Sequence, residues 1–117
     1  MNLKTNMPNI DIKAQEWDEV CHILKTHIPE YPVWAFGSRV KWTAKAYSDL
    51  DLAIITRQPL SLSAMATIKE AFDESILSIR VDIVDWAATS ESFRKIIEQN
   101  KIIVQQGKDA TDKVENV

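Results

Sequence analysis

A chain of 117 residues that is 45% hydrophobic and 26% charged has the material for one compact domain with a core of its own, and none to spare for a second. A net charge of −3 excludes general nucleic-acid binding, which needs Lys and Arg to neutralise phosphates, and a lone cysteine, Cys21, excludes an internal disulfide and a thiolate metal cage. No stretch approaches the roughly 18 apolar residues of a membrane span and residues 1–11 lack a signal peptide's apolar run, so the sequence predicts a cytoplasmic protein.

Residues 1–11 read as an N-terminal arm. Over residues 13–28, Trp17, Val20, Cys21, Leu24 and Ile28 recur at three- and four-residue steps, which predicts a helix with one buried face. Cys21 falls in that stripe as a small buried hydrophobe, whereas His22 and His27, five apart, share no face and read as surface residues. Pro29 and Pro32 end the helix. Residues 33–36 form a short apolar strand that Gly37 and Ser38 stop with a tight turn. Residues 39–47 have little apolar period and predict a short helix or loop on the surface.

Residues 50–55 are apolar except for Asp51, the pattern of an interior strand. Pro59, Ser61 and Ser63 prepare a helix whose buried stripe is Met65, Ile68, Ala71, Phe72 and Ile76. Residues 80–86 alternate as a third strand. Ser90 caps a last helix with Phe93, Ile96 and Ile97 toward the core, and residues 102–104 add a terminal strand. The domain is expected over residues 12–106, with a flexible polar tail over 107–117. The fold class is α/β (α+β): a mixed β-sheet flanked by helices. Trp34, Trp42 and Trp86 read as core residues first and partner contacts second.

The chemistry is carried by carboxylates. In Asp49-Leu50-Asp51 the two acids leave one face of a strand while Leu50 leaves the other. Asp82, opposite in face to Val81 and Ile83, is placed to join them on a neighbouring strand. Three such carboxylates repel by about 4 kcal/mol per pair at about 4 Å and an effective dielectric near 20, a cost that a divalent cation removes. Oxygen-only ligation favours Mg²⁺ or Mn²⁺, and two ions would bridge attacking and leaving oxygens. Asp85 competes with Asp82 for the third place, but points to the other face and is given a surface or capping role. Gly37 and Ser38, at a strand end with helix-start amides behind them, read as a phosphate seat, with Arg39 beside them as a further phosphate ligand.

Gly37-Ser38, ten residues, then Asp49-Leu50-Asp51, followed by the acidic strand at Val81-Asp82-Ile83-Val84, resembles the minimal nucleotidyltransferases of the superfamily that includes DNA polymerase β. The combined motif is specific because separate patterns coincide at fixed spacing, and the likeness spans residues 17–104. It implies Gly37 and Ser38 at the triphosphate, Asp49 and Asp51 on both metals, and Asp82 activating the acceptor hydroxyl. One departure is Trp42, where related sequences tend to have Gly. A large aromatic there either stacks on a base or covers a hydrophobic patch, and the second is the simpler reading.

The resemblance also implies an acceptor. Nothing here matches the helical extension with which larger transferases hold their substrates, and small members of this kind resemble the antitoxin half of HEPN/MNT pairs. There the partner is a helical protein with RNase character, and AMP from ATP is placed on its tyrosine. The alternatives are transfer to a small molecule such as an aminoglycoside, and an antitoxin that acts by contact alone. Self-association into a symmetric oligomer is a general expectation.

Overall fold

The computed structural model describes residues 7–107. Helix α1 spans Ala14–His27, strand β1 Val33–Phe36, the short helix α2 Ser38–Lys41 and strand β2 Leu50–Ile54. Helix α3 spans Leu62–Asp73, β3 Val81–Asp85, α4 Glu91–Gln99 and β4 Ile102–Gln105, with a 3-10 turn at Trp86–Ala88 between β3 and α4. The four strands make one mixed sheet in the order β3-β2-β1-β4. Strand β1 runs antiparallel to both β2 and β4, while β2 and β3 are parallel. That parallel pair needs a crossover, and α3 supplies it.

Period-two alternation splits the sheet into two faces. Val33, Ala35, Leu50, Leu52, Ile54 and Ile83 join Val20, Ile23 and Leu24 of α1 and Ile68 and Phe72 of α3 in the main core. On the other face Phe36 and Ala53 pack with Ile97 of α4, flanked by Trp34, Ile55, Val84, Trp86 and Phe93. The rings of Trp34 and Trp86 meet edge-on at 5.2 Å, and those of Phe36 and Phe93 at 5.7 Å. Phe36 is buried and the other three rings are half-buried members of a second core beneath α4.

Both serine caps are present: the Ser61 hydroxyl accepts from the Ala64 N–H, and that of Ser90 from the Phe93 N–H, each satisfying a first-turn donor. Cys21 is half-buried rather than buried, and burial together with Asp18 pushes its thiol up to about 11. His22 and His27 are exposed.

Three packing expectations are corrected. Ile76 is 88% exposed, because α3 ends at Asp73 and the helical period does not reach it. Ile96 is 53% exposed; α4 meets the sheet along Phe93 and Ile97. Trp42 is 54% exposed and stands outside both cores. Its φ is +62°, the left-handed conformation that ends α2, which explains why glycine suits this position: a Cβ is disfavoured there.

Within residues 7–11, Ile10 is buried in the main core and the Asp11 N–H donates to the Arg39 carbonyl. Of the expected tail, residues 108–117 lie outside the described residues. Among the described residues no helix is long and apolar enough to cross a membrane.

Candidate active site

Strand register builds the site. Phe36 of β1 lies opposite Asp51 of β2, and Asp51 lies beside Asp82 of β3, so the three form one row across the same end of the sheet. Leu50, fully buried on the other face, fixes the pleat that sends Asp51 to this side. Asp49 stands just before β2 and is half-buried, while Asp82 is exposed. Burial, then the charge of Asp82, then that of Asp49 push the Asp51 carboxyl up to about 6. No N–H or O–H among the described residues donates to it. The three predicted acids are therefore coupled through Asp51, at the middle of the group.

Gly37 is required twice over at this place. Its φ of +85° belongs to glycine, and a Cβ there would collide with the Asp51 carboxylate oxygen and sit 3.2 Å from Asp51 Cγ. The sequence suggests close approach of this glycine to a ligand; the structure shows close approach to Asp51. Ser38 follows as the first residue of α2. Its carbonyl accepts from the Trp42 and Thr43 N–H groups, and its hydroxyl makes no hydrogen bond among the described residues.

Arg39 is a correction. Expected on the surface as a phosphate ligand, it is only 7% exposed. Its Nε donates to the Ser48 carbonyl at 3.0 Å, Nη1 to that of Asp11 at 2.8 Å, and Nη2 to those of Lys45 and Ala46 at 3.4 and 3.3 Å. Four of five guanidinium N–H donors are thus spent on backbone. Arg39 clamps the loop that leads to Asp49 and ties it to residue 11.

A cleft of about 270 Å³ opens over the row. Its polar side is Gly37, Lys41, Asp51, Asp82 and Asn100, and its apolar side is Phe36, Val84, Phe93 and Ile96. Asp49 and Ser38 adjoin this lining without forming part of it. Lys41 and Ile96 were not expected here. The signal for Lys41 was available, since a residue four after Gly37 on one turn of helix returns to the same side. A larger cavity, about 670 Å³, lies at the opposite end of the sheet around Thr56 and Leu60 and contains none of the three acids.

Asp85 points the other way and is buried. It accepts from Thr56 Oγ1 at 2.5 Å and from the backbone N–H of Leu60 at 2.7 Å and of Ala87 at 3.2 Å. Its expected capping role is seen at Ala87; its surface placement is corrected.

Among the described residues no three His, Cys, Asp or Glu side chains close a metal cage by themselves. The all-oxygen group around Asp51 instead suits a hard cation that keeps waters and takes further ligands from a bound phosphate.

Comparison with known proteins places this geometry in context. The family model described as polymerase beta, nucleotidyltransferase, matches residues 18–109. A probable protein adenylyltransferase MntA of Haemophilus influenzae is 50% identical over 109 residues, covering 93% of this chain and 96% of that protein. Among solved structures, a chain of a toxin–antitoxin complex with AMP-PNP superposes with a TM-score of 0.66 at 21% identity, covering 82% of this chain and 77% of that one. A chain from the tri-AMPylated Shewanella oneidensis HEPN toxin in complex with MNT antitoxin gives a TM-score of 0.60 at 19% identity, over 88% of this chain and 79% of that one. At these identities the structures speak for the fold.

Proposed function

The chain belongs to the polymerase β nucleotidyltransferase family, and from that premise we propose that it is a cytoplasmic, metal-dependent protein adenylyltransferase. It moves AMP from ATP to a tyrosine hydroxyl of a helical HEPN-type partner and so acts as its antitoxin. The observation that carries this reading is the Asp51–Asp82 pair in register across β2 and β3, with Gly37 packed against Asp51 and Lys41 lining the same cleft. The half-identical relative, described as a probable protein adenylyltransferase, supports the protein acceptor, and the toxin–antitoxin complexes among the neighbours support the kind of partner.

Asp49, Asp51 and Asp82 would hold two Mg²⁺ ions, with Mn²⁺ able to replace them. Bound there, the ions neutralise charge on the carboxylates and triphosphate and favour ionisation of the acceptor hydroxyl. The residues of the chain do the rest. Gly37, without a side chain, lets the Asp51 carboxylate close up against the turn where a phosphate would sit, the Ser38 hydroxyl donates to a phosphate oxygen, and Lys41 balances its charge. Asp82, the most open of the three acids, takes the acceptor's proton as the tyrosine oxygen attacks the α-phosphorus and pyrophosphate leaves.

The test is the intact mass of the helical partner after incubation with the purified chain, Mg²⁺ and ATP. A gain of AMP with the native chain and none with the Asp49→Asn, Asp51→Asn double variant is expected. Tight binding without any gain in mass would overturn catalysis on that partner and leave inhibition by contact.

A further inference from the structure

The loop between α2 and β2 holds a side chain for which neither the core nor the cleft accounts. Tyr47 is 95% exposed and is not among the residues lining the cleft. Its position is nonetheless closely held. The Ser48 N–H donates to the Lys45 carbonyl at 3.0 Å, closing a turn with Ala46 and Tyr47 at its centre. The Lys45 N–H donates back to Ser48 Oγ at 2.8 Å, and the Arg39 guanidinium grips the carbonyls of Lys45, Ala46 and Ser48. An aromatic ring stands almost wholly in water at the apex of this clamped turn, two residues before Asp49. The only other tyrosine, Tyr31, packs against the main core.

On the reading that this chain transfers AMP to tyrosine hydroxyls, we propose that Tyr47 is itself an acceptor, adenylylated in trans by a second copy of the chain. Its hydroxyl is presented to solvent from a rigid support, which reduces the ordering cost of docking into another molecule's site. Lys45, exposed beside it, carries positive charge toward a cleft that stays net negative with two divalent ions and a triphosphate bound. Transfer within one copy is disfavoured, because the clamp keeps the turn in place and the ring lies outside its own cleft. In the step, Tyr47 Oη forms a bond to the α-phosphorus of ATP and the bond from that phosphorus to the bridging oxygen of the β-phosphate breaks. Pyrophosphate departs, and the phenolic proton passes to a carboxylate of the second copy and then to water.

The experiment incubates the full chain, without its partner, with Mg²⁺ and α-labelled ATP, and follows intact mass and peptide maps. AMP is expected on Tyr47, at a rate that rises with the square of protein concentration. The Asp49→Asn, Asp51→Asn copy should gain AMP on Tyr47 only when mixed with a Tyr47→Phe copy, which supplies the chemistry but no acceptor. The Tyr47→Phe copy should modify the helical partner at the native rate. If the native chain modifies the partner but never Tyr47, this inference falls and the proposed function stands; if neither is modified, both fall. Modification of native Tyr47 with no transfer in the mixture would overturn transfer in trans. A Tyr47→Ala variant that binds the partner at least tenfold more weakly, with Tyr47 unmodified in the native chain, would make the residue a docking anchor instead.

Discussion

Two aspartates at opposite ends of the same sheet meet opposite treatment. Asp85, at the end of β3, is the more deeply buried, yet Thr56, Leu60 and Ala87 each donate a hydrogen bond to it. Asp51, in β2, is half-buried with no donor among the described residues and two acidic neighbours, and its carboxyl is pushed up to about 6. A buried charge that is fully hydrogen-bonded holds structure together. One left facing like charges is a standing cost that a ligand can relieve, and perturbation of that kind marks functional sites. The larger cavity lies at the Asp85 end, so volume alone points to the wrong end of the molecule.

The largest effect expected is on the chemistry. Asp51→Asn should lower AMP transfer on the order of a thousandfold, the scale seen when a centre of transition-state charge stabilisation is lost. The same change should leave the fold intact and raise the melting temperature of the metal-free chain by a few degrees, since it removes a repulsion. A thermal melt run beside the transfer assay checks both; a destabilised Asp51→Asn variant would mean that Asp51, like Asp85, is structural.

Asp85→Ala should reverse the pattern. It leaves the Thr56 hydroxyl and the Leu60 amide without their acceptor, while the Ala87 N–H keeps Thr56 Oγ1 at 3.0 Å, and the loss is expected to cost about 2–4 kcal/mol in denaturant unfolding. Transfer per folded molecule should change by less than about tenfold. A thousandfold loss there, at native stability, would move Asp85 into the machinery and break the contrast.

Gly37→Ala lies between the two cases. The left-handed φ is expected to cost about 1–2 kcal/mol, and the added methyl must displace the Asp51 carboxylate, so stability and transfer should fall together, transfer by about a hundredfold. Transfer kinetics and chemical denaturation on one preparation check this. If only stability falls, the contact between Gly37 and Asp51 has no part in the chemistry.

How much of this was legible before folding follows the same division. The Asp49-Leu50-Asp51 pattern and the alternation around Asp82 locate the acids because strand periodicity is local and strict. The caps at Ser61 and Ser90 are equally local. What the pattern misses depends on where helices end and what long side chains reach. Ile76 falls beyond the last turn of α3, Ile96 turns to the cleft instead of the core, and Arg39 folds inward to carbonyls nine residues on and 28 residues back. Nothing in the immediate neighbourhood of Arg39 announces those partners. Trp42 was visible as a departure from the family's glycine, and its positive φ gives that departure a physical meaning.

The smallest effect expected is a dependence of stability on pH that belongs to Asp51 alone. Its carboxyl titrates near 3.8 when unperturbed and near 6 in the folded, metal-free chain. Between those values the native state holds a proton that the unfolded state has released, so this group's contribution to stability falls as pH rises from about 4 to 6 and stays low above that. Two pKa units would correspond to about 3 kcal/mol without screening, but solvent reaches Asp51, and about 1 kcal/mol is the realistic scale. Mg²⁺ should reverse the trend, because it binds the ionised native carboxylates and stabilises them by mass action, increasingly as pH rises through 6. Subtracting the melting curves of Asp51→Asn from those of the native chain, with and without Mg²⁺ between pH 4 and 8, isolates the term. A difference that is flat in both series would show that Asp51 is not held near like charges in solution, and the contrast with Asp85 would then rest on hydrogen bonding alone.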